Sequence, residues 1–268
     1  YVSALAQLEQ RAQSDLALAS GSLTGELRRY RELAVLTADH PLVRPVMAGD
    51  LPQETIRPVL QEIADKTGAL EIVLLDAEGK SMIATQQASA LYHRGTDYFE
   101  RAMDGALGVS HLYSAPPGQR AFAFAAPVFS GEGPVIGAVL VYADVEQVEA
   151  SWRGARPAVF FTDAQGVVFL SNRSDLVFRS RGSLDARNND QPGVQLGPFI
   201  RYSDGYVGPY QVWSVDGGRY LPAEALHLTA PLPVINMTGE VLVDVAPARQ
   251  LATLQAAVLS AFCQNFGI

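Results

Sequence analysis

The feature that most constrains this chain is a plan written into it twice. EIVLLDAEGKSMIAT (71–85) and AVFFTDAQGVVFLSN (158–172) each run an apolar segment into Asp-Ala-x-Gly, then into a second apolar segment that ends in small polar residues. Asp and Gly supply turn geometry between stretches that favour extended backbone, so each copy predicts a β-hairpin. AAPVFSGEGPVIGAVLVYADVEQV (125–148) and TAPLPVINMTGEVLVDVAPARQL (229–251) form a second pair. In both, Ala-Pro opens a strand, a glycine (Gly137 or Gly239) precedes a strongly apolar strand, and an acid (Asp144 or Asp244) leads into a helical tail. Repeated order implies repeated structure. Two α+β modules are expected, over 50–152 and 153–250, each on a central antiparallel sheet with the hairpin early and the apolar strands late. In such a sheet one face is covered by helix, while the other is left concave and able to take a ligand.

Ahead of the modules, residues 1–49 predict a long helix and its cap. No proline occurs from Tyr1 to Thr37, and Leu5, Leu8, Ala12, Leu16, Leu23, Leu27, Tyr30 and Ala34 recur at near-helical steps, giving one apolar stripe. Gly21 and Gly25 weaken its middle and allow a bend. A second helix is expected from Gln53 to Lys66, stopped at Gly68. The long helix would tie both modules together, with DVEQVEASW after the first module as their link. Residues 180–197 predict a loop; within 199–221 a strand is expected around Tyr210, Val212 and Trp213, with Tyr206 and Tyr210 as core, rim or cleft aromatics. Residues 251–268 predict a C-terminal helix and tail, read either as the first turns of a membrane helix or as a packed terminal helix. The opening YVSALAQLEQ falls inside a helix, as in a segment taken from a longer protein, and no signal peptide is visible.

Charge and motif content exclude several functions. With 28 acidic against 20 basic side chains and a net charge of −8, the chain lacks the clustered basic surface that nucleic acid demands. Arg28, Arg29 and Arg31 sit beside Glu26 and Glu32 as a solvated helix face. Cys263 has no partner cysteine, so no internal disulfide is expected. His40, His93, His111 and His227 are scattered without ligand spacing, so no metal site is expected. GxxxxGK[ST], strand-linked GxGxxG and GxSxG are all missing, which removes the common phosphate cradles and the nucleophile elbow. Asp76 and Asp163 hold matching places in the repeated hairpins and are read as turn caps, not as catalytic carboxylates. No catalytic residue and no cofactor are expected.

Four segments carry a resemblance. RGTDYFERAMDG (94–105), residues 125–152, VFFTDAQGVVFLSNRSDLVFRS (159–180) and LTGELRRYRELAVLTADHPLVRPVMAG (23–49) are similar to the double-Cache, tandem PAS-like sensor domains of bacterial histidine kinases, most of all the C4-dicarboxylate transport sensor kinases. The resemblance implies a periplasmic domain between two membrane helices of an inner-membrane kinase, dimeric through the long helix. It also implies a small ligand in the first, membrane-distal module and a second module that is usually empty.

At the ligand positions the match breaks. The family's aromatic and arginine before the Tyr-Phe pair fall near His93 and Thr96, ahead of Tyr98 and Phe99; its Thr-Thr-Ser falls around Ala115, Pro116 and Pro117; its late lysine falls on Tyr142, before Asp144. Loss of two cations disfavours a dianion, because a buried carboxylate needs charged or multiple hydrogen-bond partners. Arg94 and Arg120 would compensate if turned inward. The candidate ligand-binding residues are thus His93, Arg94, Thr96, Tyr98, Tyr113, Arg120, Tyr142 and Asp144, with Asp97 as further acidic company. The aromatics Tyr98, Phe99, Tyr113, Phe122, Phe124 and Tyr142, with Asp97 and Asp144, suit a neutral or cationic small molecule. Phe122 and Phe124, alternating on one strand face, are read as core. Sensing by a histidine kinase is the leading function, with a chemotaxis receptor, another transmembrane signalling protein or a free solute-binding protein as alternatives.

Overall fold

The structure, a computed structural model, describes residues 1–86, 92–115, 119–131, 133–150, 152, 157–181, 195–217, 220–250 and 252–254, with the side chains of 114 and 115 outside the description. The chain opens with α1 (Val2–Ala38), one unbroken helix of 37 residues despite Gly21 and Gly25, about 55 Å long at 1.5 Å per residue. Leu5, Ala12, Leu16, Leu23, Leu27, Tyr30 and Ala34 of the predicted stripe are buried, and Leu8 is half-buried. Backbone contacts divide the chain into two compact units, Ser22–Val148 and Tyr1–Gly21 with the chain from Glu149 onward. The two ends of α1 thus serve different cores.

In the first unit, α2 (Val43–Met47), a 3-10 turn at Gln53–Thr55 and α3 (Arg57–Thr67) precede the sheet. Gly68 ends α3 with φ +71, the left-handed stop expected of a helix C-terminus. The strands are β1 (Ala69–Asp76), β2 (Ser81–Ala84), β3 (Gly108–Ala115), β4 (Gln119–Phe129) and β5 (Val135–Asp144), all antiparallel in the order β2-β1-β5-β4-β3. Between β2 and β3 lies α4 (Asp97–Met103), which packs on β3, β4 and β5. Side chains alternate across the sheet. One face carries Val73, Leu75, Ala121, Ala123, Ala125, Ala138, Leu140 and Tyr142 under Tyr98, Phe99 and Ala102 of α4. Ile72, Leu74, Phe122, Phe124, Val139 and Val141 alternate with these and are equally buried, so both phenylalanines are core on the opposite face.

The second unit repeats that order. After α5 (Val145–Ala150) come β6 (Ala158–Asp163), β7 (Val168–Ser171), the short β8 (Arg179–Ser180) and β9 (Gly197–Pro198), then β10 (Arg201–Val207), β11 (Tyr210–Asp216), β12 (Glu224–Leu232) and β13 (Met237–Asp244). Its main sheet runs β10-β11-β12-β13-β6-β7, the first unit's order with one strand added at the edge. The chain is therefore a long N-terminal helix followed by two antiparallel modules of one plan.

The hairpin caps repeat in detail. An Asp76 carboxylate oxygen accepts the N–H groups of Glu78 (3.1 Å) and Lys80 (2.7 Å), and Asp163 accepts those of Gln165 (2.9 Å) and Val167 (2.8 Å). Asp144 and Asp244 do the same for Glu146 and Ala246, both at 2.8 Å, where each last strand turns into helix.

Three local expectations need correction. Ala-Pro does not open a strand: Pro127 and Pro231 lie inside β4 and β12. Pairing of β4 with β3 stops at Ala125 and pairing of β12 with β11 stops at Leu226, so each proline sits where one edge is vacant and its missing N–H costs no ladder bond. Residues 199–221 form a hairpin of two strands, closed at Gly208 with φ +62. Tyr206 lies on that hairpin and is 71% exposed, so it lines no cleft. Most of the predicted loop, residues 182–194, and the tail from 255 lie outside the described residues.

Candidate functional site

Half of the buried strand residues on the face of the first sheet beneath α4 are alanines, and buried polar groups gather at one end of it. His93 is 1% exposed and held from both sides: its N–H donates to the Gly79 carbonyl (2.7 Å), and its carbonyl accepts the Thr96 hydroxyl (2.7 Å). This docking needs Gly79, with φ +80, because a Cβ there would stand 2.7 Å from the Arg94 nitrogen. The hairpin turn of β1 and β2 thereby fixes where His93 lies.

His93 Nδ1 is 2.8 Å from the Tyr98 hydroxyl, and Nε2 is 3.2 Å from Ser81 Oγ. Burial raises the Tyr98 pKa, against hydrogen bonds with Thr96 and Tyr142 that lower it. Burial pushes the Tyr142 hydroxyl far above its usual range, and the Tyr98 hydrogen bond and Glu71 charge add to the rise. A side-chain hydrogen bond joins the Tyr98 and Tyr142 hydroxyls. Ser81, His93, Tyr98 and Tyr142 thus form one chain of polar contacts.

Glu71 is the residue that sequence reasoning missed. It is fully buried, stands opposite Tyr142 in the β1–β5 ladder and shares its face with Val73 and Leu75. Its Oε1 accepts the Gln86 N–H at 3.3 Å. The signal was present as one acid at the head of the apolar run EIVLL, where alternation puts it on the inner face.

Of the predicted residues, the structure brings together His93, Tyr98 and Tyr142, with Thr96 beside them. The others fall elsewhere. Arg94 is exposed and does not turn inward. Arg120 alternates with Ala121 and so shares the side of Phe122 and Phe124, away from Tyr142. Tyr113 packs edge-on against His111, 5.7 Å between ring centroids, on that same opposite face. Asp144 lies on the inner face, half-buried, with its carboxylate engaged in capping α5. Asp97 is exposed at the start of α4. The Ala115 side chain and Pro116 and Pro117 lie outside the described residues. No group of three His, Cys, Asp or Glu able to hold a metal occurs among the described residues.

Two antiparallel modules of one strand order behind a long helix, the first with a buried polar cluster on its helix-covered face, define a sensor domain of the tandem PAS-like, Cache type. More particularly, the chain is similar in sequence and structure to the sensor domains of DctB-type histidine kinases. The C4-dicarboxylate transport sensor protein DctB of Pseudomonas aeruginosa is 32% identical over 193 residues, 69% of this chain and 31% of that protein. This chain thus spans about a third of its curated relative. The sensor domain of the Vibrio cholerae histidine kinase DctB superposes with a TM-score of 0.75 at 20% identity, covering 89% of this chain and 97% of that one. The ligand-binding domain of the Campylobacter jejuni chemoreceptor Tlp3, in complex with L-valine, superposes with a TM-score of 0.60 at 12% identity over 91% of this chain and 95% of that one. No family model matches. Among the described residues no helix is long and apolar enough to cross a membrane.

Proposed function

We propose that this chain is the periplasmic, ligand-sensing part of a membrane-anchored sensor histidine kinase, dimeric through α1, whose first module takes a small neutral or cationic molecule beside Tyr98, Tyr142 and Glu71. One observation carries the ligand class: a fully buried carboxylate, Glu71, faces the same end of the sheet as the hydroxyl and imidazole groups, while Arg94 and Arg120 point away from it. A second carboxylate entering that site would meet like charge in a low-dielectric interior, where the repulsion is strong. An amine or a neutral hydrogen-bonding molecule would instead gain an acceptor from Glu71 and donors or acceptors from the rings. The likeness to C4-dicarboxylate sensors supports the signalling role, and the altered residues support a different ligand. Ligand binding would shift the population of two arrangements of the domain and pass that shift on through the helical ends.

The test is calorimetry on this domain with succinate and malate in one arm and amino acids and simple amines in the other, repeated on Tyr142→Phe and Glu71→Gln. The expected result is binding in the second arm that both substitutions weaken. Dicarboxylate binding that Glu71→Gln leaves untouched would defeat the ligand class. Chemoreceptor output is the second reading, favoured by the Tlp3 superposition and decided by the sequence that follows this domain.

A further inference from the structure

The second module carries a buried charged cluster that neither the sensing role nor the first module explains. Equivalent pairings relate the two sheets: Val73 faces Leu140 as Phe160 faces Glu240, and Ala121 faces Asp144 as Ala225 faces Asp244. Glu240 therefore stands where the first module has Leu140, and His227 where it has Ala123. Glu240 is 1% exposed. Its Oε1 takes Arg181 Nη1 at 2.6 Å and the Thr162 hydroxyl at 3.0 Å; its Oε2 takes Arg181 Nη2 at 2.7 Å and His227 Nε2 at 2.7 Å.

The other side of His227 also meets an acceptor. Nδ1 lies 3.1 Å from Gln211 Oε1, and Gln211 Nε2 donates to Asp204 at 3.1 Å. Turning the Gln211 amide over would set its oxygen against the Asp204 carboxylate, so its oxygen belongs toward His227. Both ring nitrogens of His227 then face acceptors, and only the imidazolium has two protons to offer. The Trp213 ring stacks on this imidazole at 3.8 Å and 24°, with Tyr202 stacked 4.0 Å beyond it, an arrangement that favours a cation. Charge also balances only in this form: Arg181 and His227 are set against Glu240 and Asp204.

We propose that His227 is a proton-operated latch that holds the β10–β11 hairpin to its sheet. Gln211, Trp213, Asp204 and Tyr202 all belong to that hairpin, whereas His227 is on β12 and Glu240 on β13. The backbone ladder joining β11 to β12 covers Val212–Ser214, with one more bond from the Val215 N–H to the Ala223 carbonyl (2.8 Å), and stops short of Gln211, so the His227 contacts hold that end of the hairpin. Loss of one His227 proton turns either the Gln211 contact or the Glu240 contact into two facing lone pairs and leaves the cluster with a net negative charge. A domain facing the external medium would in this way loosen one edge of its second module as the medium becomes alkaline.

The sign follows from the contact that is lost: β11 is held more firmly with the His227 proton present and less firmly as pH rises. The test is nitrogen-15 NMR of the His227 ring in this domain between pH 5.5 and 8.5, together with hydrogen-exchange protection factors of β11 amides in wild type and His227→Gln. The expected result is a doubly protonated ring at the acidic end, with β11 protection falling as its proton leaves and a pH-flat profile in the variant. A ring that stays singly protonated throughout, or β11 protection with the same pH profile in both proteins, overturns the proposal. Should His227→Gln fail to fold, the wild-type ring spectrum and the wild-type β11 profile decide the matter alone.

Discussion

Replacing Asp163 by Ala should destabilise its hairpin far more than replacing Asp76 destabilises the equivalent one, although each carboxylate caps two backbone N–H groups of the same turn. The difference is burial. Asp163 is 7% exposed and its bond to the Val167 N–H is buried, whereas the Asp76 bonds are exposed. In Asp76→Ala, water takes over both donors, and the expected loss is about 1 kcal/mol. In Asp163→Ala the Val167 N–H is left inside the protein without an acceptor, and the loss rises to about 3 kcal/mol. Asp→Asn at either position keeps a carbonyl acceptor and should recover much of the loss. Because two modules need not unfold together, the assay is residue-level amide exchange, read at Val167 and Lys80. Exchange at Val167 should accelerate roughly a hundredfold in Asp163→Ala, and at Lys80 about fivefold in Asp76→Ala, from RT of about 0.6 kcal/mol. Equal accelerations at the two sites, or an Asp163→Asn variant as labile as the alanine one, would refute the burial argument.

Other substitutions separate strained from open glycines. Gly79→Ala, at φ +80 against the Arg94 nitrogen, should destabilise the first module by more than about 1 kcal/mol, while Gly25→Ala, with nothing within 4 Å, should stabilise α1 by about 0.5–1 kcal/mol; thermal denaturation measures both. Burial raises the Glu240 pKa, but the hydrogen bonds and charges of His227 and Arg181 outweigh it and hold the group below its ordinary value of 4.5. A carboxylate lowered in this way contributes stability that is present above 4.5 and lost as pH falls through the folded value, so acid titration should destabilise wild type relative to Glu240→Gln below that point. Tyr142→Phe keeps the ring buried and removes the hydroxyl from Tyr98; about 1 kcal/mol of stability should be lost, with a larger proportional effect on ligand-induced thermal shift than on folding.

The repeated hairpins, the helical stripe from Leu5 to Ala34 and the caps at Asp76, Asp144, Asp163 and Asp244 were legible in the sequence because each depends on neighbours within a few residues. His93, Tyr98 and Tyr142, whose positions the resemblance supplied, are brought together by the fold. Whether Arg94 and Arg120 turn inward was not legible, because the direction of a side chain depends on where its segment docks and on strand parity, and one residue of offset puts Arg120 on the far face. Glu71 was overlooked because a single acid at the start of an apolar strand reads as a boundary until the partner strand is known.

Local order in the sequence determined by itself that this protein has two sheets of one plan behind a long helix, since periodicity and turn chemistry act over a few residues. Which buried acid meets which base was decided only in three dimensions. Thr162, Arg181, His227 and Glu240 lie up to 78 residues apart and converge only once the strands have paired and the segment bearing Arg181 has docked. Sequence spacing carries no trace of that register, because the order in which strands pair is a property of the folded sheet.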